Sequence, residues 1–312
     1  DPFRFRRSCA GGGSYSWQPR LYHTLFDDVI ISYIRQKSTF YAHKTRIFFP
    51  AGISGQNMRT IFRMNGFFDL TRRGGFALFS ARHLLWLSIC AGLIAALCRA
   101  YACASPAARR RLRLGAVLSA LSLSLSRAAL LIAAGLYDTG RLPLHLCAMA
   151  VYICVLHTVR GGALTGQFLY AFCMPGAAFA LFFPDWRCYP ALSFMTLAGF
   201  MGHTLIVAYV LMQVCAGDIV PDIRRAPACL GVMLSLAAPV YVFDILTGTN
   251  YMFLNWPSPS SPLELFSFLG RPGYIAGYFP LLAAVWAAIY APFPPGKGAP
   301  RNTPRRDIKS AD

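Results

Sequence analysis

Seven stretches of the chain carry apolar side chains on every helical face: residues 84–103, 114–137, 142–159, 163–183, 191–214, 227–246 and 273–291. A helix that is hydrophobic all round has no face for water and belongs in a core or a bilayer. About 20 such residues, rising 1.5 Å each, cross the ~30 Å hydrocarbon layer. Polar punctuation separates the runs: Arg109 to Arg113, then Asp138, Gly140 and Arg141, then Gly161-Gly162, then the turn Pro184-Asp185-Trp186-Arg187, then Asp218 to Arg225. A longer connection, 247–272, precedes the last run. The pattern predicts an all-α fold, a polytopic membrane bundle of seven transmembrane helices, with the third run short for a crossing. No internal repeat relates two halves, so a transporter built from duplicated halves is not suggested.

The ends depart from this pattern. Residues 1–63 are basic, aromatic and aperiodic and lack the regions of a signal peptide. They read as an extramembrane extension or as sequence translated upstream of the true start, with Met64 as the natural first residue. Residues 64–292 form the transmembrane domain. Residues 293–312, rich in Pro, Lys and Arg, read as a disordered cytoplasmic tail.

Composition agrees with a membrane protein and changes one first impression. Of 312 residues, 56 % are hydrophobic and 13 % charged, with mean hydropathy +0.46, against about a quarter charged in a soluble domain. The formal charge of +18 resembles a nucleic-acid signature. Its distribution says otherwise: counted from Met64, thirteen basic residues fall on one side of the seven spans and six on the other. The positive-inside rule then places the tail in the cytoplasm and leaves no need for a nucleic-acid partner. Most of the ten cysteines lie within apolar runs, where a small thiol is ordinary filler, and no Cys-x-x-Cys pair occurs.

Against that background, the stretch Leu142-Pro143-Leu144-His145-Leu146-Cys147 needs an explanation that lipid contact does not supply. Pro143 suits the first position of a helix, which sets Cys147 just past the first turn, where the positive end of the macrodipole favours thiolate. Helical rise puts Cys147 about 8 Å and His203 about 18 Å below the outer ends of their helices. Arg127 is mid-span in the second helix, Asp244 near the end of the sixth, and Asn250 and Tyr251 follow directly. These residues and His145 fit together in the outer half of one bundle, and ionisable groups at such depth face an interior or a wet cavity. A thiol with an imidazole is the minimum apparatus for nucleophilic acyl transfer. His145 and Cys147 are two apart, so His203 is the better base. Each residue also has a plain alternative: Cys147 as filler, His203 bonded to a backbone carbonyl, and Arg127 in an ion pair with Asp244, the preferred reading, or on a lipid phosphate. The connection 247–272 suits an interfacial aromatic belt or a lid. Two histidines without further ligand spacing do not make a metal site, and no cofactor motif is present.

The run Phe76 to Leu85, the Leu142–Cys147 stretch, the mid-helix His203, and Thr249-Asn250-Tyr251-Met252-Phe253-Leu254 resemble the YwaF-type bacterial integral membrane proteins, related to the eukaryotic transmembrane protein 164 family. The likeness covers residues 64–292. It implies a multi-pass protein of the cell membrane, the inner membrane of a bacterium, and by analogy with the eukaryotic relatives an acyltransferase placing fatty chains on ether phospholipids. Carried over by position, Cys147 is the acyl-accepting nucleophile and His203 its base. The placing of the other residues, apart from the resemblance, adds Asn250 or Tyr251 assisting the oxyanion and His145, Arg127 and Asp244 near the lipid substrate. The competing expectation is a non-catalytic receptor, transporter or channel that holds a small ligand with the same residues. Contact between the Cys147 sulfur and the His203 ring separates the two.

Overall fold

Local capping signals decide where two of the apolar runs become helices, at Ser105 and at Ser193. A computed structural model describes residues 66–70, 74–258 and 261–293. Residues 1–63, and the tail apart from Phe293, lie outside the described residues, so the expectations about them stay as stated. The first pass is α1, Ala81–Ala102. After a tight turn, α2 runs from Pro106 to Ala133. Ser105 is its N-cap, its side chain accepting from the Ala108 N–H, and Pro106 occupies the first turn, where its missing N–H leaves nothing unpaired. Arg109 to Arg113, expected as a loop, are therefore helical, because Ser105-Pro106 starts the helix eight residues before the apolar run.

The third pass is α3, Leu146–Arg160. Gly161 and Gly162, at φ 65° and 112°, end it and turn the chain into the fourth pass. That pass comprises α4, Ala163–Phe168, a π-helical turn, Leu169–Cys173, and α5, Met174–Phe182. Then come α6, Phe194–Cys215, and α7, Ala226–Thr247, closed by Gly248 in the left-handed conformation. A short 3-10 turn, Gly273–Gly277, leads into α8, Tyr278–Tyr290. The described residues thus make seven helical passes. Six are long and apolar enough to cross a membrane; α3, with 15 residues, is the exception. It spans only about 22 Å.

The helix at the centre is α6. It is buried along its length and packs most extensively against α1, α2 and α5. The outer helices leave Leu84, Leu85, Leu118, Leu125, Val242 and Phe279 exposed, as lipid-facing residues should be. At one end of the bundle two connections are tied through Asp218. Arg109 and Arg113 approach its carboxylate at 3.3 and 3.6 Å, and the Tyr101 hydroxyl donates to it at 2.5 Å.

Candidate active site

The recessed start of α3 organises the opposite end. Its N-cap is His145, so Pro143 lies two residues before the cap instead of at the first helical position. Leu142 to Leu144 form a turn, with the Leu144 N–H on the Leu142 carbonyl at 2.8 Å. The cause is a contact remote in sequence: the Tyr251 hydroxyl accepts from the Leu142 N–H at 2.8 Å and donates to the Thr139 carbonyl at 2.5 Å. Cys147 becomes the second residue of α3, closer to the positive helix end than expected. The His145 carbonyl accepts from the Ala148 and Met149 amides, while the Leu146 and Cys147 amides have no acceptor among the described residues. Leu146 itself leans on Gly176 of α5, where an added Cβ would lie 3.3 Å from its side chain.

His203 comes to Cys147 from the middle of α6. Its Nδ1 donates to the Gly199 carbonyl, one turn back, at 2.7 Å. A carbonyl can only accept, so in the neutral ring the proton sits on Nδ1 and the lone pair on Nε2. Nε2 is buried, with no partner in ordinary hydrogen-bond geometry. The Cys147 thiol lies close enough to the His203 ring for the two to interact electrostatically, without a hydrogen bond between them. Catalytic contacts in unliganded proteins are often loose in this way.

Trp186, read from sequence only as part of a turn, stacks on that imidazole, with ring centroids 4.7 Å apart and planes inclined by 24°. The indole is 5 % exposed and its N–H has no partner. Gly199 makes room for it, since a Cβ there would lie 2.5 Å from the ring. One glycine thus supplies both the carbonyl that fixes the tautomer and the space for the stack. The signal was a small residue one turn before the histidine. Asp185, also missed, is an exposed carboxylate whose charge acts on Cys147, His145 and His203.

The remaining expected residues divide. His145 lies close enough to His203, Arg127, Asp185 and Asp244 to interact with all four through charge. Its Nδ1 accepts from the Met252 N–H at 3.2 Å, and its ring packs on Tyr251 and Phe253. Arg127 acts on Cys147 and His145 through charge alone. Its expected ion pair with Asp244 is not formed. Asp244 is fully buried, and its Oδ1 accepts from the Thr249 hydroxyl at 2.7 Å and the Tyr251 N–H at 2.9 Å. The aspartate therefore caps the following loop instead of neutralising the arginine.

Asn250 is engaged within that loop. Its side-chain carbonyl accepts from the Asn255 and Trp256 amides, and its amide group donates to the Trp256 carbonyl. The one hydroxyl hydrogen of Tyr251 goes to Thr139. Met252 and Phe253 hold positive φ, 52° and 54°, a strained conformation for such side chains. Their carbonyls are tied to the last pass, Met252 by the Tyr278 hydroxyl and Phe253 by the Tyr274 hydroxyl, each at 2.7 Å. Tyr251 and Met252 of this loop thus pack against Leu142, Leu144, Leu146 and Met149 at the start of the short α3. His83 and His157 have structural partners: His83 joins Phe79 to the Leu181 carbonyl, and His157 meets the Tyr209 hydroxyl. Among the described residues no group of three or more metal-ligating side chains gathers.

A profile of the TMEM164 family matches residues 78–290, more than half of the chain. The chain belongs to the TMEM164 family. The match takes in all seven passes and therefore both Cys147 and His203. No curated protein and no solved structure matches it significantly. Membership and the apolar helices together make this TMEM164-family chain a multi-pass membrane protein.

Proposed function

We propose that the protein is a lipid acyltransferase that works through a thioester on Cys147. The observation that carries the reading is the buried, unpartnered Nε2 of His203, its lone pair fixed by the Gly199 carbonyl and its neighbour a thiol at a helix N-terminus. His203 takes the thiol proton as sulfur attacks an acyl ester carbon. The C–O bond breaks, His203 returns the proton to the leaving alkoxide, and an alcohol departs. In the second half a different lipid hydroxyl, deprotonated by His203, attacks the thioester and regenerates the thiol. The unpaired Leu146 and Cys147 amides are the donors free to meet the oxyanion, since the Tyr251 hydroxyl is engaged elsewhere. Trp186 holds the imidazole plane and keeps water from it.

The reading extends to the YwaF-type bacterial branch, a location in a bacterial inner membrane, and membrane phospholipids as donor and acceptor. Its test is acyl exchange by purified protein with a labelled phospholipid. Cys147→Ser and His203→Ala should each abolish transfer and remove hydroxylamine-sensitive label. Transfer persisting in both variants, or absent throughout while a small ligand is bound or carried, would replace the enzyme with a receptor or transporter.

A further inference from the structure

The connection between α7 and α8 contains a 3-10 helix, Pro262–Leu269, closed by Gly270 at φ 65°. With three residues per turn, side chains three apart stand in line. Three stripes follow: Leu263, Phe266 and Leu269; Glu264 and Ser267; Pro262, Leu265 and Phe268. The first faces the protein. Leu263 is buried, Phe266 sits on Gly277, where an added Cβ would lie 2.4 Å from its ring, and Leu269 at the end is half-exposed. The second stripe is polar and exposed. The third is apolar and has no cover among the described residues: Leu265 is 74 % and Phe268 79 % exposed.

Two large apolar side chains in line, held out beside a polar stripe, mark a surface that leaves water. Its partner follows from position. Eight residues rising about 2 Å each give roughly 16 Å, too short to cross the ~30 Å hydrocarbon layer. The segment joins two membrane passes, and these expose Leu246 in the last turn of α7 and Phe279 in the first turn of α8. The uncovered stripe therefore continues the lipid-facing surface of both passes, at the end of the bundle where α3 starts. Arg271 follows directly and lies over the Trp256 ring at 4.9 Å, a cation and an indole of the kind that collects at the headgroup boundary. We propose that Pro262–Leu269 lies in the plane of the bilayer, with Leu265 and Phe268 among the acyl chains of that leaflet and Glu264 and Ser267 at the headgroups. The partner is the lipid surface itself, and the placement is independent of any chemistry at Cys147. The helix also steadies the loop packed on the start of α3. Its closing Gly270 carbonyl accepts from the Tyr274 amide at 2.9 Å, and the Tyr274 hydroxyl donates to the Phe253 carbonyl at 2.7 Å.

The experiment places a benzophenone side chain at single positions of the full-length protein in palmitoyl-oleoyl phosphatidylcholine vesicles, followed by irradiation and peptide mass spectrometry. Phe268→benzoylphenylalanine and Leu265→benzoylphenylalanine should each attach to lipid acyl carbons, with about tenfold more adduct than Ser267→benzoylphenylalanine. Cross-linked pairs of chains in place of lipid adducts would overturn the assignment in favour of a second copy. Equal lipid adduct at all three positions, or none at 265 and 268, would overturn the in-plane orientation. A second measurement needs no unnatural residue. The double variant Leu265→Ser, Phe268→Ser removes no packing within the chain, so its heat stability in detergent should match the parent. In vesicles a broad-specificity protease should cut it between residues 262 and 270 about tenfold faster than the parent. Cleavage at the parent rate, or a large loss of heat stability in detergent, would show that the stripe does not rest on lipid and overturns the proposal.

Discussion

Gly199 and Gly202 lie on the same helix, one turn apart, and the structure gives their substitution by alanine opposite signs. In a helix interior, alanine is favoured over glycine by about 1 kcal/mol. At Gly202 nothing lies within 4 Å of the added Cβ, so that gain is kept. At Gly199 the Cβ would meet three indole atoms of Trp186 at 2.5, 2.6 and 2.8 Å. Reaching an ordinary contact of about 3.5 Å requires the ring to move by roughly 1 Å. A rigid indole between His203 and Phe200 has no flexible end to swing aside. Overpacking of this kind costs about 1–3 kcal/mol, which exceeds the helix gain. Gly199→Ala should therefore unfold earlier than Gly202→Ala by an amount corresponding to roughly 1–3 kcal/mol, a separation of several degrees. Retention on size-exclusion chromatography after heating in detergent measures it. The displaced stack should also slow alkylation of Cys147, read peptide by peptide by mass spectrometry because eight other free cysteines are described. Equal melting and equal Cys147 alkylation in the two variants would refute the claim that Gly199 exists to admit Trp186.

Further outcomes follow from single contacts. Tyr251→Phe removes the hydroxyl shared by the Thr139 carbonyl and the Leu142 N–H, leaving a part-buried donor unpaired. It should lower stability by about 1–3 kcal/mol, seen as earlier heat-induced loss of monodisperse protein. It should also speed cleavage by a protease in the 139–145 turn. Asp218→Asn leaves Arg109 and Arg113 without their carboxylate, but that side chain is 29 % exposed. The loss should stay within about 1 kcal/mol and leave Cys147 alkylation untouched. His203→Gln removes the ring nitrogen beside the thiol. Alkylation of Cys147 at neutral pH should then fall at least tenfold, with most of the rate regained at alkaline pH, where the thiol ionises without help.

The passes were legible in sequence because each is a run of apolar residues on all faces, and the bilayer fixes the length such a run must have. Where they begin was less legible. The start of α2 turned on Ser105-Pro106, a local signal outweighed by four arginines that suggested a loop. The start of α3 was set by Tyr251, more than a hundred residues away, and no local preference of Pro143 could reveal that. Counting helical rise put Cys147 and His203 in one half of the bundle, but at depths of about 8 and 18 Å, so the interaction of their side chains did not follow from depth alone. The partner of Arg127 did not follow, because depth alone cannot tell that the Asp244 carboxylate is already bonded to its own loop. Trp186 was hidden for a related reason: an aromatic residue in a polar turn looks interfacial until Gly199 is seen beneath it.

The central claim is that Cys147 carries an acyl group whose transfer His203 governs. Intact-protein and peptide mass spectrometry after incubation with a phospholipid of defined chain length tests it directly. The account predicts one acyl mass on the Cys147 peptide, released by neutral hydroxylamine, discharged by a lysophospholipid acceptor, and absent in His203→Ala. An unmodified Cys147 in protein that nonetheless exchanges acyl chains, or an acyl adduct formed equally well without His203, would contradict it.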